Sequence, residues 1–211
     1  MRRSRQTPSL RPWQPITYPG RPEPSRTGAV RRIIPAVGRN RNRTMLRKSL
    51  LHRWVTAIGL LFASLPVWAL TTFDGKPANV SNYTGDGKWL VVMIWASDCH
   101  VCNKEASQYV DFHFVHHDDD ARVLGISIDG QAKKAEAEKF IERHKVNFPN
   151  LIGEPGEVAE WFARLTGSPF VGTPTFLFYD PSGKLVAKQV GAVPTELIEA
   201  FMEQQASAEK P

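Results

Sequence analysis

Three stretches of the chain are apolar almost without interruption, and each is short. Residues 89–95 (Trp-Leu-Val-Val-Met-Ile-Trp), 123–128 (Val-Leu-Gly-Ile-Ser-Ile) and 175–179 (Thr-Phe-Leu-Phe-Tyr) have the length of strands. Their continuous apolar character suits strands covered on both faces. Around them the pattern changes to helical spacing. Ala106, Tyr109 and Val110 predict a helix over about residues 99–117, which Asp118, Asp119 and Asp120 end in a solvated loop. Ala137, Phe140 and Ile141 mark the inner side of an Ala/Glu/Lys-rich helix over 132–144, and Val158, Trp161, Phe162 and Leu165 define a short helix over 157–165. Residues 146–151 read as extended. Asp180-Pro181-Ser182-Gly183 reads as a turn to a hairpin partner at 185–190. Pro194 opens a last helix over 194–203, with a tail from Gln204 expected to fray. Phe73-Asp74-Gly75-Lys76-Pro77 looks like the turn of a short N-terminal hairpin.

The order is strand–helix–strand–helix, then strand–strand–helix. It predicts one α/β domain, a central mixed sheet with helices on both faces.

Composition changes the picture at the N-terminal end. Residues 1–44 hold 11 Arg, seven Pro and no Lys, without apolar periodicity, and are expected to form a disordered arm. Residues 45–69 have the layout of a secretory signal: Met45, a basic stretch with Arg47, Lys48, His52 and Arg53, an apolar run from Trp54 to Leu65, then Val67 and Ala69 before a cleavage point at Leu70. A signal behind 44 Arg-rich residues is poorly placed for export, so translation is expected to start at Met45. The apolar run is short for an uncleaved membrane anchor, and without a cysteine near the cleavage point a lipoprotein is not expected. The folded domain is expected to span 70–211.

The formal net charge of +6 belongs to the leader. Residues 1–69 carry 14 of the 27 Lys and Arg and one acid, Glu23, so residues 70–211 hold 13 basic against 20 acidic side chains. A body with a net charge of −7 has no electrostatic footprint for nucleic acid.

The chemistry gathers where the first apolar strand meets the first helix. The only two cysteines, Cys99 and Cys102, fall at that junction. Free N–H groups and the positive end of the dipole in a helix's first turn favour thiolate over thiol. Two intervening residues put both sulfurs on one turn, where they can close a disulfide. A single pair at this spacing points to a cycling bond rather than a staple, and a zinc ribbon would need a second pair.

With Trp95-Ala96-Ser97-x-Cys99-x-x-Cys102-x-x-Glu105, Gly172-Thr173-Pro174-Thr175-Phe176 before a strand, an extra helix and extended segment between residues 129 and 151, and the Asp180-Pro181-Ser182-Gly183-Lys184 hairpin, the chain resembles the thioredoxin superfamily. Within it, it resembles the TlpA/ResA-like extracytoplasmic thiol–disulfide oxidoreductases, over residues 71–203. The resemblance implies a thioredoxin-like fold with a TlpA-type insertion. It makes Cys99 the nucleophile and Cys102 the resolving thiol. It implies a cis-proline at Pro174 facing the pair and Thr173 offering backbone hydrogen bonds to a substrate strand. Trp89, Trp95 and Trp161 read as core or active-site rim, and Trp95 is a candidate substrate-binding residue. Glu105 would tune the ionisation of the thiols; otherwise it is a solvated glutamate on a helix surface. The implied activity is reduction of disulfides in exported proteins, such as apocytochrome c or copper-site assembly factors. The implied electron donor is a membrane thiol transporter of the DsbD/CcdA kind, and no cofactor is implied.

Two positions depart from the family pattern. Asp98 stands where an aromatic residue is usual and is expected to cap the helix. Met93 stands where cytoplasmic thioredoxins bury an acid, and Glu105 is the candidate substitute. His100, within the pair, would stabilise a thiolate when protonated. His113, His116 and His117 beside the three aspartates form a candidate metal cluster, set against a solvated helix end. The competing readings are a metal-binding chaperone built on Cys99 and Cys102, and a periplasmic dithiol oxidase.

Overall fold

In a computed structural model of the chain, the structure describes residues 14–15 and 70–208. The expected signal at 45–69 and most of the arm lie outside the described residues. The strands are β1 (Gln14–Pro15), β2 (Thr71–Thr72), β3 (Trp89–Trp95), β4 (Ala121–Ser127), β5 (Asn150–Ile152), β6 (Thr175–Tyr179) and β7 (Leu185–Val190). The helices are α1 (His100–His116), α2 (Lys134–Arg143), α3 (Pro155–Thr166) and α4 (Thr195–Ala208). The sheet order is β1-β7-β6-β3-β4-β5-β2. β3, β4 and β5 run parallel; β6 pairs antiparallel with β3 and β7, and β2 with β5. This is the mixed, thioredoxin-like sheet expected from the order of elements.

β3 lies at its centre and shows why its sequence is apolar throughout. Its side chains alternate between two cores. Trp89, Val91, Met93 and Trp95 join Cys102, Ala106, Tyr109 and Phe112 of α1, Phe140 of α2 and Phe201 of α4 on one face. Leu90, Val92 and Ile94 join Val158 and Phe162 of α3 and the segment containing Leu70 and Val80 on the other. With side chains buried on both sides, a period of two disappears from the hydropathy pattern.

Three expectations need correction. α4 continues to Ala208 instead of fraying from Gln204, because an Ala- and Gln-rich run has good helix propensity. Of the extended segment over 146–151 only Asn150 and Leu151 are strand, in β5, which runs on to Ile152. Gln14 and Pro15 of the supposedly structureless arm pair antiparallel with Lys188 and Ala187 of β7; a sheet edge offers unpaired N–H and C=O groups to any extended segment. The small hairpin near the start of the domain is closed by an isolated bridge between Thr71 and Pro77 and by an Ala78 N–H bond to the Leu70 carbonyl at 3.1 Å.

Candidate active site

β3 delivers the chain at Trp95 to a three-residue connection, and Cys99 is the N-cap of α1, with extended backbone (φ −72°, ψ 111°). Its Sγ accepts the N–H of Cys102 at 3.1 Å. That amide is one of the first-turn donors that no carbonyl of the helix can reach. The cap is therefore the cysteine itself, which corrects the expectation for Asp98. Asp98 turns to solvent and pairs with Lys133 Nζ at 3.1 Å; that hydrogen bond and the charge beside it push the Lys133 ammonium up.

Cys99 and Cys102 are joined in a disulfide, with Cα atoms 5.2 Å apart. Cys102 is 0% exposed, whereas Cys99 is partly exposed. Cys102 is shut in the core, whereas Cys99 packs against that core and keeps part of its surface exposed.

The connection is gripped from two directions. Asp129, buried just beyond β4, accepts the Ser97 N–H at 3.0 and 3.2 Å through its two oxygens, the Ser97 hydroxyl at 2.8 Å and the Ser127 hydroxyl at 2.7 Å. Asn103 Nδ2 donates to the carbonyls of Ser97 and Cys99, both at 2.9 Å. Its Oδ1 accepts from His144 Nε2 at 2.9 Å and Arg143 Nη1 at 3.2 Å at the end of α2. Neither Asp129 nor Asn103 stands out in the sequence. The signal for Asp129 is its place at the carboxyl end of a buried parallel strand, where α/β sheets build sites.

The Thr173–Pro174 peptide bond is cis. Ile94 of β3 pairs with Thr175 of β6, so the antiparallel register sets Pro174 beside Trp95, at the end of β3 from which the cysteine loop departs. Pro174 is buried, and its carbonyl accepts the Gly191 N–H at 2.9 Å. Thr173 is partly exposed, and Val171 before it is exposed.

Of the two readings of Trp95, core or rim, the structure takes the core, which corrects its candidacy as a substrate-binding residue. It is 1% exposed, its indole N–H donates to Asn150 Oδ1 at 3.0 Å, and its ring stacks on Phe140 with centroids 4.2 Å apart. Its side chain therefore offers no surface to a substrate; it ties the insertion, through α2 and β5, to the strand that carries the site. The hydrogen bond crosses over Gly125, where a Cβ would lie 1.8 Å from Asn150 Oδ1 and 2.8 Å from Trp95 Nε1.

Glu105 is partly buried. It accepts from Gln108 Nε2 at 2.7 Å and pairs with Lys104 at 3.4 Å. Its charge acts on Tyr109, whose phenol is pushed up mainly by burial, against the opposing effect of its bond to Val193, with Glu105 adding to the rise. Tyr109 donates to the Val193 carbonyl at 3.0 Å and accepts its N–H at 3.2 Å.

The three histidines go to three different partners. His113 Nδ1 accepts the Val123 N–H at 3.1 Å, and burial, helped by the charges of His117 and Arg122, holds it down at about 4. His116 lies between Asp120 at 2.7 Å and Glu199 at 3.3 Å; burial pulls it down, but these two carboxylates outweigh it and the ring is held up. His117 Nδ1 bonds to the His113 carbonyl at 3.0 Å. Among the described residues no three His, Cys, Asp or Glu side chains are grouped to hold a metal ion.

The AhpC/TSA family matches residues 63–188. The chain is 22% identical to the sporulation thiol-disulfide oxidoreductase A of Bacillus subtilis over 174 residues, covering 76% of this chain and all of that one. It is 30% identical to the peroxiredoxin Bcp of the same organism over 120 residues, covering 53% of this chain and 73% of the other. Among solved structures, a thioredoxin-family thiol:disulfide interchange protein from Chlorobium tepidum superposes with a TM-score of 0.54 at 21% identity, over 64% of this chain and 89% of that one.

Proposed function

This chain belongs to the AhpC/TSA family and is a thiol–disulfide oxidoreductase, and on that premise we propose that it is an exported reductase of protein disulfides. Cys99 is the nucleophile, Cys102 the resolving thiol, and the segment Thr173–Pro174 the place where an extended client strand docks. The observation that carries this reading is the asymmetry of the pair: a partly exposed cysteine at the helix start, bonded to one that is fully buried.

The reaction balances as two exchanges. The Cys99 thiolate attacks one sulfur of a client disulfide, breaking the client S–S bond and releasing the other sulfur as a thiolate. The Cys102 thiolate then attacks Cys99 Sγ, breaking the mixed disulfide and releasing the second client thiolate. Two electrons pass from the pair to the client, the thiolates take up protons, and Cys99–Cys102 is left oxidised. Glu105, on the same helix three residues beyond Cys102, would accept or return the Cys102 proton. A membrane thiol transporter of the DsbD/CcdA kind would regenerate the dithiol, and no cofactor takes part.

The signal-like stretch at 45–69 supports export, with a mature domain from Leu70 that holds every element from β2 onward. The clients would be exported proteins with paired cysteines, such as apocytochrome c or copper-site assembly factors. The relationship to a peroxiredoxin favours one second reading, in which Cys99 attacks a peroxide and Cys102 resolves the resulting sulfenic acid.

The test is capture in cells. A Cys102→Ser variant is expected to accumulate mixed disulfides with exported proteins through Cys99. Recovery of no such adducts, together with rapid peroxide consumption by the reduced wild type, favours the second reading.

A further inference from the structure

We propose that Asn103 is a positioning residue that holds Cys99 Sγ at the start of α1 and couples it to the inserted helix α2. The inference rests on the reading of Cys99 as the nucleophile.

The carboxamide of Asn103 has every hydrogen-bonding site in use. Its two N–H groups go to the carbonyls of Ser97 and Cys99, both at 2.9 Å. Its oxygen receives His144 Nε2 at 2.9 Å and Arg143 Nη1 at 3.2 Å. An amide has two donors on nitrogen and two lone pairs on oxygen, so this group is satisfied, and only in this orientation. Two carbonyls cannot accept from an oxygen, and Arg143 cannot donate to an NH2 group.

No other side-chain type of this length does the same. Aspartate would set a carboxylate against two carbonyls, alanine would leave the Ser97 carbonyl and the Arg143 and His144 donors without the link, and leucine would fill the space without a polar atom.

What Asn103 fixes is the peptide run that sets the cap. Ser97 is held on its N–H and hydroxyl by Asp129 and on its carbonyl by Asn103. Cys99, two residues on, has its carbonyl held by the same side chain and also by the Asn103 backbone N–H at 3.0 Å, so what the side chain alone supplies is the Ser97 end and the tie between the two carbonyls. With both ends of the three-residue segment pinned, Cys99 Sγ sits where it receives the Cys102 N–H at 3.1 Å. That donor stabilises a thiolate more than a thiol. Releasing the segment lets the sulfur leave the amide, so the thiolate loses stabilisation and the disulfide gains relative to the dithiol.

The link to α2 continues inward. The His144 ring packs on Phe140 at 4.5 Å between centroids, and Phe140 stacks on Trp95 at the end of β3. The insertion thus holds the cysteine loop through a polar contact on the outside and a stacked one inside.

The experiment is the pH profile of iodoacetamide alkylation of Cys99 in the reduced full chain, with Cys102→Ser as background so that one thiol reports. Asn103→Ala is expected to move the Cys99 profile to higher pH and to slow alkylation at neutral pH by roughly three- to tenfold, the worth of one or two modest hydrogen bonds. Asn103→Asp is expected to move it further, since it adds a negative charge. A paired Arg143→Ala/His144→Ala variant, which leaves Asn103 in place, is expected to shift it in the same direction by less. It also provides the readout if Asn103 variants do not fold. An Asn103→Ala profile within twofold of the background at every pH overturns the proposal, as does an unshifted paired variant where only that one folds. The readout needs no client, so a shifted profile in a protein that reduces no client separates failure of the reductase reading from failure of this one.

Discussion

Cys99 Sγ receives the backbone N–H of Cys102 at 3.1 Å, so the more exposed cysteine of the pair is also the cap of its own helix. On reduction, the same amide and the helix's positive end favour the Cys99 thiolate, while Cys102 sits in apolar surroundings that favour its neutral thiol. In the reduced wild type, Cys99 is expected to be alkylated at neutral pH at least about tenfold faster than Cys102. Peptide mapping after a short iodoacetamide pulse measures the ratio; equal labelling would remove the assignment of roles.

Asp98 lies next to the nucleophile, yet its carboxylate is exposed and paired with Lys133. An exposed pair of this kind is weak and is screened by salt. Asp98→Ala is therefore expected to leave the urea midpoint essentially unchanged and to alter the Cys99 alkylation rate by less than about threefold. Urea denaturation and the same alkylation assay check both. A much larger rise in rate would mean that the charge reaches Cys99 in the reduced form.

Gly125 carries the crossing of Trp95 and Asn150. Gly125→Ala puts a methyl group 1.8 Å from Asn150 Oδ1 and 2.8 Å from Trp95 Nε1, so Asn150 must swing away and the buried indole N–H loses its acceptor. Overpacking and an unsatisfied buried donor each cost about 1–3 kcal/mol. The variant is expected to lose about 2–4 kcal/mol in urea denaturation, with the Trp95 indole N–H resonance displaced. A variant as stable as the wild type would show that Asn150 is dispensable.

His113 makes stability depend on pH. Its folded value of about 4 lies below the ordinary 6.5, so between those values the unfolded chain binds a proton that the folded chain does not. Stability is then expected to fall as pH drops from about 6.5 to about 4 and to level off below, by on the order of 1–3 kcal/mol. His116, held up by Asp120 and Glu199, acts in the opposite sense. The difference between the wild type and His113→Gln, which keeps an acceptor for the Val123 N–H without titrating, isolates the effect of His113. Parallel curves for the two proteins from pH 4 to 7 would contradict it.

The central part of the fold was legible because its long strands and helices carry their own hydrophobic signatures, whereas β1, at Gln14–Pro15, lies in a stretch with none. β3 and β6 are apolar on both faces, α3 repeats Val158, Trp161, Phe162 and Leu165, and the turn at Asp180–Gly183 is spelled out by its residues. The cysteine pair was legible because two residues at fixed spacing fell at a strand-to-helix junction. The supports of the site were not. Asp129 reaches Ser97 across 32 positions and Asn103 reaches His144 across 41, and no local pattern marks side chains whose partners are set by the sheet. Asp98 has cap chemistry, but the cap position is one residue later and a sulfur fills it. Trp95 stands beside the cysteine motif in sequence, yet the alternation of β3 sends its ring inward to Phe140.

The reduction potential of the Cys99–Cys102 pair bears most directly on a cycling, reducing dithiol. Equilibration with graded thiol–disulfide buffers, followed by acid quench and counting of free thiols, is expected to give one reversible two-electron transition near the thioredoxin value of about −270 mV. A transition near about −120 mV, or a pair that does not exchange with the buffer at all, would contradict it.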